Sequence, residues 1–173
     1  RNEEWLTFTD GGYRGLFETT KSPMYASAGE LIGVLGIARD ISEREKALDE
    51  SRQLAAIVQS SDDAIIGKTV GGVVTSWNPA AEHLFGYPAG EVIGRPAAEF
   101  FTPERVAEEN DLLRRNADGQ AVGRLETVWR RKDGELIDVS VTVSPIRGND
   151  VSVIGSSTTA RDIGQRKKTE AEL

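Results

Sequence analysis

The residue types that most often carry out chemistry are scarce in this sequence. Cysteine is absent and His83 is the single histidine. Disulfides, thiolate metal sites, thiol nucleophiles and any Ser-His-Asp triad without His83 are therefore excluded. The stretch GYPAGEVIG, residues 86–94, lacks the G-x-G-x-x-G spacing of a dinucleotide-binding loop. No paired carboxylates or metal-ligand clusters stand out, so we predict neither a catalytic site nor a metal site.

Composition and charge indicate a folded, acidic segment. The chain has 173 residues, of which 38% are hydrophobic and 28% charged, a composition that can bury a core. Its formal net charge of −7 and the lack of a basic stripe argue against direct nucleic-acid binding. No apolar run approaches the roughly 20 residues that span a bilayer, and the first residues do not have the pattern of a signal peptide. We expect a cytoplasmic piece of a longer polypeptide, without a membrane segment.

A motif from the first quarter of the chain returns at its end. IARDISEREK, residues 37–46, resembles TARDIGQRKK, residues 159–168. Four pairs of positions share one spacing of 122 residues: Ser22 and Ser144, Ile32 and Ile154, Asp40 and Asp162, Arg44 and Arg166. A constant spacing without gaps indicates a duplicated module, complete in its second copy and truncated in its first. The alternative is a chance likeness between two unrelated strand-to-helix junctions.

Turn and cap signals divide the second copy into short strands and helices. Asn78-Pro79 and Thr102-Pro103 each combine a capping residue with a proline suited to the first helical turn. Asp133-Gly134 predicts a tight turn between two strands. Residues 137–143 alternate apolar and polar side chains, which predicts a strand with one buried face. Two strands, short helices, one longer helix and three strands together predict an α+β fold, an antiparallel sheet with helices on one face.

The first copy predicts only a three-stranded meander. We expect one face of this meander to carry Phe17, Leu35 and Ile37 without a helix layer to cover it. An uncovered apolar face with open edges promotes pairing, and we favour the same meander of a second chain as its partner.

The connection between the two copies predicts a helix. Leu48, Ala55 and Val58 lie near heptad spacing, among Glu, Lys and Arg residues. Two interpretations stay open: a solvated connecting helix, or a helix that packs beside its copy in a dimer and transmits motion.

The stretch SWNPAAEHLFGYPAGEVIG, residues 76–94, resembles the signature of the PAS domain family. The positions that carry the signature are Trp77, Asn78, Phe85, Gly86, Tyr87 and Gly94. RRKDGELIDVSVTVSPI, residues 130–146, and TARDIGQRKK resemble the later strands and the exit motif of the same family. The resemblance covers residues 55–165, and residues 5–43 resemble the last three strands of a second PAS domain.

The resemblance implies a PAS fold, a five-stranded antiparallel sheet of order 2-1-5-4-3 whose helices cover one face and form a small pocket. It implies four segments: the last three strands of a first PAS domain in residues 1–43, a linker helix in 44–58, a complete PAS domain in 59–165 and the start of an exit helix in 166–173. The side chains expected to line the pocket are Phe101, Val106, Leu125, Val139, Val141 and Ile154.

The resemblance also implies a role. Such domains sense or relay signals in bacterial histidine kinases, cyclic-di-GMP enzymes and transcription regulators, and they are not enzymes themselves. The residues expected to act in signal handover are Asp40, Ile41, Asp162 and Ile163. Asp162 is expected to bond a basic side chain, for which Arg161, Lys132 and Arg166 are the candidates.

Expected partners are a second copy in a homodimer and adjacent PAS and output domains of the same polypeptide. Two other function classes stay open beside the sensory and relay module, a pure dimerisation scaffold without a ligand and an isolated small-molecule-binding protein.

We expect no cofactor in the pocket. Haem-binding members of the family use a histidine on the long helix, where this chain has none, and His83 is expected at the surface. The missing cysteine excludes a cysteinyl-flavin adduct. Three contents of the pocket stay open: a non-covalent flavin, a small metabolite, or the domain's own side chains.

Overall fold

A computed structural model describes residues 2–9, 11–100 and 103–172. The chain divides into two compact units, Arg1–Ala55 and Ala56–Leu173. The strands of the first unit are β1 (Asn2–Thr7), β2 (Arg14–Tyr25) and β3 (Leu31–Asp40), and the helix α1 (Ser42–Gln59) runs from the first unit into the second. The elements that follow are β4 (Ala64–Thr69), β5 (Val74–Trp77), α2 (Pro79–Phe85), α3 (Ala89–Val92), the 3-10 helix η1 (Ala97–Phe100), α4 (Pro103–Ala117), β6 (Val122–Arg130), β7 (Leu136–Arg147), β8 (Val153–Asp162) and α5 (Gly164–Ala171).

The second unit is built on a five-stranded antiparallel sheet. Its strand order is β5-β4-β8-β7-β6. Numbered from β4, this is 2-1-5-4-3, so the predicted PAS fold and its α+β class are confirmed.

The core of the second unit lies between this sheet and its helices. On β7 the predicted alternation holds, since Ile137, Val139, Val141 and Val143 are all buried. The helices contribute Ala81, Phe85, Val92, Ala97 and Leu112 to the same core. Packing of one sheet face against the helices therefore holds the unit together.

The predicted helix boundaries of α2 are confirmed by its caps. Asn78 has an extended backbone, and its side chain accepts a hydrogen bond from the Ala81 backbone N–H at 3.0 Å. Pro79 occupies the first helical turn, and Gly86 ends the helix with a left-handed φ of 75°.

The three-stranded sheet of the first unit repeats the strand pairing of the second. In the first unit Phe17 pairs with Asp40, and in the second Val139 pairs with Asp162, each residue 122 positions further on. The register irregularity between Met24 and Tyr25 returns between Ile146 and Arg147, with the same spacing. The repeat in the sequence therefore corresponds to a repeat of the strand register, including the position of the register irregularity.

One expectation for the first unit is wrong. Phe17 does not share a face with Leu35 and Ile37, because residues that pair directly across strands point to the same face, and Phe17 pairs with Asp40. Side chains alternate along β3, so Leu35 and Ile37 lie on the opposite face from Asp40. Phe17 is buried, with its ring 5.4 Å from that of Phe8. Leu35 and Ile37 are 51% and 62% exposed.

Candidate functional site

The junction between β8 and α5 contains two of the predicted handover residues. The Asp162 Oδ1 atom accepts a hydrogen bond from the Gly164 backbone N–H at 2.7 Å. The next side chain, Ile163, is buried, and its N–H donates to the Asp138 carbonyl at 2.9 Å. The Lys167 N–H closes the first helical turn on the Ile163 carbonyl, also at 2.9 Å. Asp162 therefore orients the start of α5, and Ile163 anchors it to the sheet.

The junction between β3 and α1 has the same geometry. Asp40 Oδ1 accepts from the Ser42 N–H at 2.9 Å, and Ile41 is buried. The Ile41 N–H donates to the Leu16 carbonyl at 2.9 Å, and the Glu45 N–H donates to the Ile41 carbonyl at 3.0 Å. Every one of these bonds has its counterpart 122 residues later, so the two strand-to-helix junctions share one backbone geometry.

The expectation that Arg161, Lys132 or Arg166 forms an ion pair with Asp162 is wrong. Arg161 pairs with Asp63, Lys132 with Glu91, and Arg166 with Glu126 and Glu170. The three candidates thus bind other carboxylates, while the Asp162 carboxylate accepts from the backbone at the start of α5. An aspartate two residues before a helical amide commonly makes this local bond.

Different side chains support the two junctions. In the first unit the Tyr13 hydroxyl donates to Asp40 Oδ2 at 2.5 Å, which lowers the pKa of Asp40 and raises the pKa of Tyr13. The Ser42 hydroxyl accepts from the Leu16 N–H at 2.8 Å. In the second unit Lys167 Nζ binds Asp138 Oδ1 at 2.6 Å.

The entry and the exit of the second unit meet at a bidentate ion pair. Asp63 lies between the end of α1 and the start of β4, and Arg161 lies near the end of β8. The Arg161 Nε and Nη2 atoms donate to the two Asp63 oxygens at 2.7 and 2.6 Å. This contact lowers the pKa of Asp63 and raises that of Arg161. Two parallel bonds fix both the distance and the plane of the pair.

The signature residue Asn78 joins three segments at the same end of the unit. Its Oδ1 atom caps α2 at Ala81 and also accepts from the Ile65 N–H at 2.9 Å. Its Nδ2 atom donates to the carbonyls of Val58, in α1, and Asp63, at 3.1 and 3.0 Å. Asn78 is 1% exposed. The sequence predicted the cap, whereas the bonds to the end of α1 depend on the tertiary fold.

The other signature residues surround a small apolar cavity. Phe85 lies between Trp77 and Trp129, with ring centroids 5.5 and 4.8 Å away. The Trp77 indole N–H donates to the Tyr87 carbonyl at 3.0 Å. Gly94 has a left-handed φ of 86°, and its N–H donates to the Val74 carbonyl. The described residues that line the cavity are Ile66, Lys68, Val74, Trp77, Phe85, Tyr87, Ala97, Phe100, Trp129 and Arg130. Its volume of about 20 Å³ is close to that of one or two water molecules.

The predicted pocket lining is corrected by the position of this cavity. Phe101 lies outside the described residues. Val139 and Val141 are buried in the core, Leu125 packs against it and Val106 is half-buried, but none of them lines the cavity. Ile154 is 55% exposed at the start of β8. The residues that line the cavity lie on β4, β5, α2, η1 and the end of β6, and at Tyr87.

Three buried charged side chains were missed by sequence reasoning. Lys68 and Glu109 are 3% and 2% exposed and form an ion pair between β4 and α4. Arg105 is 7% exposed, donates to the Thr127 hydroxyl at 2.6 Å and lies 5.6 Å from the ring centroid of Trp129. A signal existed, because Lys68 interrupts an apolar strand and Glu109 falls on the apolar stripe of its helix.

His83, the single histidine, lies at the surface as expected. His83 is exposed, with Nδ1 2.7 Å from the Pro79 carbonyl oxygen. Within the described residues, no group of three His, Cys, Asp or Glu side chains could hold a metal ion. No helix in that same part of the chain has the length and apolarity to cross a bilayer.

Each of the two units matches a model of a known protein family. A family model described as PAS fold matches residues 52–163, and a second PAS fold model matches residues 2–46. The PAS domain of a protein from Colwellia psychrerythraea superposes with a TM-score of 0.62 at 24% identity, over 68% of this chain and 100% of that domain.

Two curated relatives come from Escherichia coli. The signal transduction histidine-protein kinase AtoS is 30% identical over 147 residues, which are 83% of this chain and 24% of AtoS. The probable diguanylate cyclase DgcE is 25% identical over 153 residues, which are 84% of this chain and 14% of DgcE. The chain therefore spans about a quarter or less of the length of these relatives. By the match over most of its length and by the strand order of its second unit, the chain belongs to the PAS fold family.

Proposed function

We propose that this chain is a sensory and relay segment of a larger signalling protein, whose output is a histidine kinase or a cyclic-di-GMP enzyme. The similarity to AtoS and to DgcE supports these two outputs. A transcription regulator is the third output that the family offers. In each case the segment itself senses or transmits and leaves catalysis to another domain.

The observation that carries this proposal is the duplicated strand-to-helix junction. Asp40 with Ile41, and Asp162 with Ile163, make equivalent backbone contacts at the starts of α1 and α5. A module that only binds a ligand needs no defined connection to the next segment. A relay needs one, because a displacement of the sheet must reach the following helix in a fixed direction.

The ion pair of Asp63 with Arg161 supports a direct path between entry and exit. Asn78 bonds the end of α1 and the Asp63 backbone, and the Asp63 carboxylate holds Arg161, one residue before Asp162. We propose that motion of α1 reaches α5 along these contacts without passing through the cavity.

The handover role is tested by Asp162→Ala in the full-length parent protein. The matched control is Asp150→Ala, since Asp150 Oδ1 also accepts from a backbone N–H two residues on, in the β7–β8 hairpin. We expect Asp162→Ala to change the output activity while both variants alter the melting temperature to a similar, small extent. Normal output of Asp162→Ala with a lowered melting temperature would reduce Asp162 to a helix cap.

We further propose that the chain forms a homodimer. None of the side chains described for α1 is buried, and Leu48, Leu54 and Ile57 are 39%, 66% and 64% exposed. Exposed apolar side chains on a helix support pairing with a second copy. The alternative of a pure dimerisation scaffold without a ligand rests on the same residues.

Light scattering on residues 1–173 tests the dimer, with Leu54→Lys/Ile57→Lys as the interface variant and Arg52→Lys as its control. We expect a dimer for the parent chain and the control, and a monomer for the double variant. A monomeric parent chain at tens of micromolar would contradict the dimer. The scaffold alternative is separated by ligand-dependent thermal stabilisation, which only a sensor shows.

A further inference from the structure

The face of α4 that packs against the sheet is mostly polar. Its buried residues follow one another at helical spacings of four, three and four positions, and they are Arg105, Glu109, Leu112 and Asn116. Among the described residues of α4, Leu112 is the one buried apolar side chain, and Val106 and Leu113 are half-buried. The buried side chains of α2, by contrast, are all apolar. A helix usually covers a sheet with an apolar stripe, so α4 departs from the usual pattern.

The part of the sheet under α4 is polar as well. Lys68 on β4 forms its ion pair with Glu109, and Ser156 on β8 pairs directly with Lys68 in the ladder. Thr158 follows two positions along β8, so both hydroxyl side chains share the sheet face of Lys68. These three residues of the sheet are at most 3% exposed. Two polar surfaces therefore meet where α4 covers β4 and β8.

Several polar atoms between these two surfaces have no hydrogen-bond partner. They are Arg105 Nε and Nη2, Asn116 Nδ2, Ser156 Oγ and Thr158 Oγ1. A buried polar atom without a partner destabilises the folded state, whereas water supplies the missing bond once the atom is exposed. Detachment of α4 would expose these atoms to water, so their cost is present only while α4 lies on the sheet.

The buried ion pair does little to offset this cost. Desolvation of the two charges opposes their mutual attraction, so a pair such as Lys68 with Glu109 gives a small net stability. Arg105, which is paired with Glu108, brings a third buried charge to the same face of α4. Among the described residues, Leu112 is the member of the apolar core cluster that α4 contributes. The closed position of α4 therefore depends mainly on polar contacts.

We propose that α4 opens from the sheet as one cooperative unit while the five strands and α2 stay folded. Segments with few buried apolar contacts open at a lower free energy than the core of a domain. The buried side chains of β7 belong to one cluster with Phe85 and Trp129, which lie on other elements, so the core persists when α4 is open. The relay proposed above runs through the entry and the exit of the unit and uses no contact of α4, so each proposal can fail without the other.

The ion pair of Lys68 with Glu109 sets how tightly α4 closes. Its two residues are 41 positions apart, so the pair forms only when α4 lies on the sheet. Either charge buried without the other would be far more costly than the pair, so the pair also fixes which face of α4 lies against β4. Two apolar side chains of similar size would fill the same space without the desolvation cost. Such a replacement should therefore hold α4 more firmly in its closed position.

The test is native-state hydrogen exchange of residues 1–173, measured by NMR at urea concentrations below the unfolding transition. We expect the opening equilibrium constant of the amides of residues 108–116 to exceed that of residues 137–143 by at least about tenfold. These α4 amides should share one urea dependence, weaker than that of β7 but above zero, because a cooperative opening exposes part of the buried surface. Equal opening constants and urea dependences in the two segments would overturn the inference, as would α4 exchange that does not respond to urea.

A matched pair of double variants tests whether the polar interface is the cause. Lys68→Met/Glu109→Leu replaces the buried ion pair, and Asp111→Leu/Arg114→Met replaces an exposed ion pair of the same helix. We expect the first variant to lower the opening constant of residues 108–116 by at least about tenfold, and the control to change it by less than about threefold. An unchanged or raised opening constant in the first variant, or its failure to fold, would overturn the inference.

Discussion

The two strand-to-helix junctions share one backbone geometry and differ in the side chains that hold it. In the first unit Tyr13 and Ser42 supply hydroxyl groups to Asp40 and to the Leu16 amide. In the second unit the positions equivalent to Tyr13 and Ser42 are Glu135 and Gly164, and charged pairs replace the hydroxyls. Those pairs are Lys167 with Asp138 and Arg166 with Glu126. Register and a buried isoleucine therefore define the junction, whereas its outer contacts are replaceable.

The two units also differ in the side chains on one face of their sheets. Leu35 and Ile37 in the first unit correspond to Ser157 and Thr159 in the second. The first two are more than half exposed, and their counterparts are half-buried hydroxyl residues. A solvated face is usually polar, so the apolar face of the first unit supports the proposed pairing with a second copy.

Removal of the buried anchor should have the largest effect. Ile163→Ala truncates a side chain that is 3% exposed, so we expect the second unit to lose about 2–5 kcal/mol of unfolding free energy. Ile41→Ala should destabilise only the first unit, to which Ile41 belongs. Urea unfolding followed by amide NMR resolves the two units. Equal destabilisation of both units by either variant would show that the junctions are not independent.

Salt should distinguish the junctions by a smaller amount. Lys167 and Asp138 are 40% and 36% exposed, so their pair contributes at most about 1 kcal/mol and is screened by salt. We expect faster amide exchange at residues 165–169 at high salt, and no change at residues 43–47. Hydrogen exchange at low and high sodium chloride measures both. An equal response of α1 and α5 would contradict the assignment of charged contacts to the second junction alone.

Acid should act on the first junction through Asp40, with the smallest effect. The bonds from Tyr13 and Ser42 lower the pKa of Asp40 in the folded state. Its contribution to stability is therefore present above the ordinary pKa of an aspartate and lost as the pH falls through the folded value. Tyr13→Phe should move the pKa of Asp40 back toward its ordinary value, as carboxyl NMR would measure. An unchanged pKa would mean that the hydroxyl bond is not formed in solution.

Local features of the fold were predictable from the sequence, because each depends on neighbours in the chain. Asn78-Pro79 and Gly86 define a helix by their own backbone preferences, and residues 137–143 define a buried strand face by alternation. The strand order followed from the family resemblance. The face of Phe17 was missed because it depends on cross-strand register, where a shift of one residue exchanges the two faces.

The candidate site was less predictable, because its contacts join distant parts of the chain. Lys68 and Glu109 are 41 residues apart, and Asp63 and Arg161 are 98 residues apart. Neither pair has a local pattern that identifies its partner. The ion pair expected for Asp162 failed for the same reason, since the partners of Arg161, Lys132 and Arg166 depend on which carboxylates the fold brings to them.

The most direct test of the relay is whether a change at the entry of the second unit reaches its exit. Asp63→Asn removes the charge that holds Arg161, and Asp62→Asn removes a charge one residue away as the matched control. Hydrogen exchange of residues 1–173 reports on the amides of residues 163–167, at the start of α5. We predict that exchange there becomes about twofold faster or more in Asp63→Asn and stays unchanged in Asp62→Asn. Unchanged exchange at α5 in Asp63→Asn, with a response confined to residues 58–65, would contradict the direct path from entry to exit.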